Sequence, residues 1–150
     1  MAQARLASGF TLAELAVTIA VLGILSFVII PKMTDRLFVD ARGHSDKLRA
    51  MLQYAQKFAV AQRRNVCVTF AAGTATVQKG AAYGAACGSD IMDPVSGAAT
   101  YSLAPPAGVT VTPSVATIAF DALGGTAIAA TVSVSGAPGI TVEGVTGYVH

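Results

Sequence analysis

The sequence predicts an α+β fold: a long N-terminal helix, apolar in its first half and amphipathic in its second, packed on an antiparallel β-rich C-terminal domain. Three observations predict it. An apolar run extends from Phe10 to Ile30, apolar residues then recur every three or four positions to about residue 60, and from Val66 the period falls to two.

Between Phe10 and Ile30 the only charged residue is Glu14, and those 21 residues are rich in Leu, Ile, Val and Ala. As a helix they would measure about 31 Å, the hydrocarbon thickness of a bilayer. An acid inside such a segment is costly and marks a functional position that calls for a partner. Pro31 removes a helical N–H and clashes with the preceding turn, so a kink is expected there.

After Pro31 the helix is expected to resume. Leu37, Ala41, His44, Leu48, Met51, Leu52, Ala55, Phe58 and Ala59 form one apolar stripe, and Arg42, Asp46, Lys47, Arg49, Gln53, Gln56, Lys57, Arg63 and Arg64 occupy the other faces. Together the two halves make a helix of some 50 residues ending near Arg64. His44, on the stripe, reads as a packed histidine.

Strands are expected at 66–70, 74–78, 100–103, 109–112, 117–120, 130–134 and 140–142, with a last one near 147–149. Gly73, Gly80, Pro105-Pro106, Pro113, Gly124-Gly125, Gly136 and Pro138-Gly139 punctuate them as turns. The stripe of the helix would bury itself against one face of this layer.

Composition excludes several functions. Charged residues make up only 12% of the chain, about half the usual share, and the net charge of +2 argues for no partner by itself. Its distribution is uneven: residues 10–64 carry +4 and residues 65–150 carry −3. Two cysteines and two histidines do not make a plausible structural zinc site, and no metal or other cofactor is expected. Nucleophile and phosphate-loop patterns are missing, so no catalytic residue is assigned and the chain is not read as an enzyme. Ser89, Asp90 and Asp93 offer oxygen ligands suited to calcium, but their spacing matches no cation loop and they are ordinary turn formers.

Gly9-Phe10-Thr11-Leu12-Ala13-Glu14-Leu15 resembles the processing site of type IV prepilins and pseudopilins. The resemblance implies a pilin-like fold and four segments: a leader over 1–9, a transmembrane assembly helix over 10–31, an amphipathic helix over 32–65 and a β-rich domain over 66–150. It implies cleavage after Gly9 by prepilin peptidase, at a glycine that permits close backbone approach, and N-methylation of the new N-terminal Phe10. Glu14 would serve processing and assembly recognition, in the assembled filament neutralising the α-amine of a neighbouring subunit. Gly23 and Pro31 fall at the fourteenth and twenty-second mature positions, both frequent in that family, and the stretch between them is expected to loosen on assembly. An ordinary signal peptide would require a small-residue cleavage site after the apolar run, which does not follow Ile30, and a plain anchor gives no reason for Glu14.

Leu48…Leu52…Ala55-Gln56…Ala59…Arg63, followed by Val66-Cys67-Val68-Thr69-Phe70, and later Ile118-Ala119-Phe120-Asp121-Ala122-Leu123-Gly124 resemble the GspH/FimT family of minor pilins and pseudopilins. The implied role is a structural minor subunit of a type II secretion pseudopilus or a type IV pilus. Its partners would be other pilin-like subunits, prepilin peptidase and the inner-membrane assembly platform. The chain would cross the inner membrane once with its distal domain in the periplasm, although flanking charges alone leave the orientation undecided or reversed. In that compartment Cys67 and Cys87 are expected to form a disulfide, with a buried thiol pair as the alternative.

Two rivals remain. A DNA-uptake pilin needs an exposed cationic surface, and beyond Lys79 the chain holds no Lys or Arg. Arg63-Arg64 reads better as a solvated helix end, so nucleic acid is not an expected partner. A major pilin commonly pairs cysteines near its C-terminus, whereas these lie mid-chain.

Overall fold

The structure, a computed structural model, describes residues 10–29 and 36–150. The chain divides into two compact units, Met1–Arg36 and Leu37–His150. In the first, α1 (Leu12–Ile29) is an unbroken helix of 18 residues, and every side chain from Leu12 to Ser26 is exposed. Its hydroxyls turn back onto the helix: Thr18 donates to Leu15 O at 2.8 Å and Ser26 to Leu22 O at 2.7 Å. No helix among the described residues is long and apolar enough to cross a membrane; α1 as described spans about 27 Å at 1.5 Å per residue. The junction expected to kink at Pro31, and with it the continuity of a 50-residue helix, lies outside the described residues.

In the second unit α2 (Arg36–Gln62) buries Ala41, His44, Ser45, Leu48, Met51, Leu52, Ala55 and Ala59. This is the expected stripe, except that Leu37 is exposed and Phe58 only partly buried. Leu48, Met51 and Leu52 are wholly inaccessible, each contributing about 1.5–3 kcal/mol by burial. The helix stops at Gln62, two residues before the expected end, in a Schellman motif. Arg64 N donates to Ala59 O at 3.2 Å and Arg63 N to Val60 O at 3.3 Å, with Arg63 at φ +49°.

The expected antiparallel strands fall, among the described residues, into two sheets. The larger contains β1 (Val66–Ala71), β2 (Thr74–Gly80), β3 (Cys87–Asp90), β4 (Tyr101–Leu103) and β6 (Thr117–Phe120), in the order β3-β2-β1-β6 with β4 also on β2. The smaller runs β5-β7-β8, from β5 (Val111–Pro113), β7 (Ala130–Val134) and β8 (Ile140–Val142). All pairings are antiparallel. The expected final strand reduces to an isolated bridge between Val142 and Val149.

Alternation places Val66, Val68 and Phe70 of β1, Ile118 and Phe120 of β6, and Ala130, Val132 and Val134 of β7 in one core with the α2 stripe. Tyr54 closes its edge, with Tyr101 meeting it edge-on at 5.6 Å. Among the described residues every core residue lies between Ala41 and Val149, so this unit carries a core of its own.

Candidate functional site

Of the segment expected to be processed, the described part, Phe10 to Leu15, leads into α1. Thr11 is the N-cap: its hydroxyl accepts from Glu14 N at 3.2 Å, and Glu14 Oε2 accepts from Thr11 N at 3.0 Å and from Thr11 Oγ1 at 2.9 Å. That reciprocal pair is a capping box, and the carboxylate faces the positive end of the helix dipole. Sequence reasoning singled out Glu14 without seeing its partner, although the Thr-x-x-Glu pattern ahead of an apolar run was the signal. Among the described residues every hydrogen bond to this carboxylate goes to Oε2, leaving Oε1 open to a further donor. Phe10 precedes the cap and is 88% exposed. Gly23 lies inside α1 with open space where a Cβ would stand, so it narrows the helix there without breaking it. Gly9 and Pro31 lie outside the described residues.

Cys67 and Cys87 form a disulfide, with Cα atoms 6.1 Å apart, which settles the alternative in favour of the bond. It straps β3 to β1 over the end of β2, where the register shifts between Lys79 and Gly80. A Cβ at Gly80 would stand 2.6 Å from Ala85 O, so the chain can fold back there only past a glycine. β3 itself was not expected, because Cys-Gly-Ser-Asp carries turn chemistry; the disulfide and the Gln78–Asp90 contact hold it on the sheet.

Asp90 accepts from Gln78 Nε2 at 2.9 Å and Thr100 Oγ1 at 3.0 Å. Asp93 accepts from Val95 N at 2.9 Å and from the Ser96 hydroxyl. These bonds hold both carboxylates below the usual carboxylate range, led by Gln78 for Asp90 and by Ser96 for Asp93. Asp90 thus ties β3 to Gln78 and Thr100 while Asp93 closes its own turn, and no group of three or more metal-ligating side chains occurs among the described residues. His44 is 4% exposed, and burial, then the nearby Lys47 charge, pushes its pKa down. His150 sits 3.1 Å from Glu143 and stacks on Tyr148. The Arg63-Arg64 pair ends α2 in the Schellman turn.

A cavity of about 210 Å³ on α2 is lined by Arg42, Ser45, Asp46, Arg49 and Pro138. A second, of about 570 Å³ at the other end of the helix, is lined by Val60, Arg63, Tyr83, Ala122 and Leu123. Both are open surface depressions rather than enclosed pockets.

No protein-family model and no curated protein matches the sequence. Two crystal structures of the type IV minor pilin FimU from Pseudomonas aeruginosa match the fold, both with a TM-score of 0.50. One is 18% identical and aligns over 72% of this chain and 84% of FimU; the other is 19% identical and aligns over 72% and 89%. The helix laid on antiparallel strands is therefore the pilin-like α+β fold.

Proposed function

We propose that this chain is a structural minor subunit of a type IV pilus or a type II secretion pseudopilus. Prepilin peptidase cleaves it after Gly9, Phe10 becomes the methylated N-terminus, and the N-terminal helix carries it from the inner membrane into the filament. The observation that carries this reading is the motif Gly9–Glu14 set at the start of an apolar helix whose side chains are exposed on every face from Leu12 to Ser26. Such a helix needs an apolar surrounding, supplied first by lipid and then by the helices of neighbouring subunits. The likeness to a minor pilin supports the same role and favours the pilus.

Glu14 holds the central chemistry. In apolar surroundings an unpaired carboxylate and an unpaired α-amine are both costly, and an amine reaching a neighbour's Glu14 satisfies both. Thr11 keeps Oε2 turned to the helix start, and Oε1 takes the incoming ammonium. Apolar contacts between helices supply cohesion, and this pair sets register. The platform in the inner membrane receives the processed subunit, and the distal domain stays on the periplasmic side.

The test is the intact mass and N-terminal sequence of the protein recovered from membranes, with and without active prepilin peptidase. A peptidase-dependent species beginning at methylated Phe10 is expected. A chain that keeps Met1 in both backgrounds, or is cut beyond Pro31, overturns the reading.

A further inference from the structure

We propose that the first four turns of α2 form a docking face for an anionic lipid surface, with Arg42 and Arg49 gripping headgroup phosphates and Leu37, Phe38 and Val39 lying among the acyl chains. The inference rests on the membrane reading above and adds to it a second, peripheral contact made by the distal unit.

Leu37, Phe38 and Val39 are 57%, 44% and 65% exposed. Three consecutive helical residues sweep an arc of about 200°, wider than the single stripe a partner helix selects. At 100° per residue, Phe38, Arg42 and Arg49 fall within about 40° of one another around the helix, so an apolar anchor and two basic side chains present themselves to the same surface, apolar insertion combined with attraction to anionic headgroups. Arg42 stacks over the Phe38 ring at 4.4 Å, joining cation to apolar anchor in one unit.

Arg42 and Arg49 stand seven residues apart, two turns along one face, and line the same 210 Å³ cavity. Neither guanidinium lies within 4.0 Å of a carboxylate among the described residues, although Asp46 lines the cavity between them. Arg49 Nε is buried with no hydrogen-bond partner, a state an oxyanion acceptor would relieve once the side chain turns outward. Ser45 is not free to help, because its hydroxyl donates to Pro138 O at 3.3 Å. Residues 36–49 hold Arg36, Arg42, Lys47 and Arg49 against Asp40 and Asp46, so the segment is net basic, and the cavity itself sets Arg42 and Arg49 against Asp46 alone. The chain tethers it: eight residue steps lead from Ile30 to Phe38, and they reach at most about 29 Å even fully extended.

The chain contains no Trp, so Phe38→Trp in residues 36–150, which hold that core, supplies a single reporter that keeps the aromatic under Arg42. This protein is titrated with vesicles of phosphatidylcholine alone and of phosphatidylcholine with phosphatidylglycerol, some with brominated acyl chains. Anionic vesicles are expected to shift the indole emission to the blue and brominated chains to quench it. Arg42→Gln with Arg49→Gln, shown by its melting curve to be folded, should weaken binding about 25-fold, at roughly fivefold per basic residue. No response to anionic vesicles, or an equal response from the double variant, overturns the proposal. So does a shift produced only by other filament subunits, which would assign the face to protein contact. Release from vesicles by millimolar inorganic phosphate, beyond the effect of chloride at equal ionic strength, would assign the arginines to soluble phosphate and overturn the lipid source. Residues 36–150 lack the processing site, so a negative result here leaves cleavage after Gly9 untouched.

Discussion

The side-chain amide of Gln56 donates to the carbonyl of Thr146, 90 residues later, at 3.0 Å. The same nitrogen donates to Gly124 O at 3.1 Å. One residue of α2 thus pins both the turn after β6 and the turn after β8 to the helix. Gln56→Ala removes both bonds from a partly exposed site and should lower stability by about 1–2 kcal/mol. Gly147→Ala should cost more, since Gly147 sits at φ +63° and its Cβ would collide with Gly124 O. Thermal melts of residues 36–150 compare the two variants, and a Gln56→Ala protein melting at the wild-type temperature would remove this pin from the fold.

Arg63 occupies the left-handed position of the α2 Schellman turn at φ +49°, where glycine carries no steric penalty. Arg63→Gly should therefore stabilise the distal unit by about 0.5–1 kcal/mol, while Arg63→Val should destabilise it. Denaturant midpoints measure both, and a loss of stability in Arg63→Gly would mean that the arginine side chain contributes more than its backbone strain costs.

The Cys67–Cys87 bond closes a separation of 20 residues, worth about 3 kcal/mol in the chain-entropy model. Replacing both cysteines with serine should lower stability by that order and release β3 first, because its other ties are few and exposed. Amide exchange should show protection lost at 87–90 before it is lost at β1. Uniform loss across the larger sheet would contradict this.

His44 gives the distal unit an acid-sensitive term. Burial lowers its folded pKa below 6.5, so the unfolded chain binds the proton more readily and stability falls as pH drops below about 6.5. The loss levels off once the folded histidine also titrates. Asp90 and Asp93 act lower on the scale: their hydrogen bonds stabilise the fold above about pH 3.8 and lose that contribution as pH falls through their depressed folded values. His44→Leu should flatten the stability profile between pH 5 and 7 and leave the lower limb in place. An unchanged slope in that window would assign it to other groups.

Much of this fold was legible because burial follows period. Leu48, Met51, Leu52, Ala55 and Ala59 announced the buried face of α2, and Val66–Phe70 and Ala130–Val134 alternated as half-buried strands do. Where local chemistry and tertiary contact disagree, the sequence misled. Cys87–Asp90 looks like a turn but pairs as a strand, held by a disulfide and a side-chain bond that no local pattern contains. The division into two sheets is likewise set by long-range pairing, as in β1 with β6 and β5 with β7. At the start of α1, Glu14 stood out by its cost in an apolar run, whereas its bond to Thr11 was encoded in a motif only four residues long.

The most direct measurement of the central claim is to shear surface filaments from cells producing the full chain and ask whether the cleaved form is among their subunits. The cleaved chain, beginning at Phe10, should appear at low copy in the sheared fraction, and Glu14→Ala should abolish that appearance. Intact filaments that lack the chain, with the processed protein remaining wholly in the membrane, would contradict its role as a filament subunit.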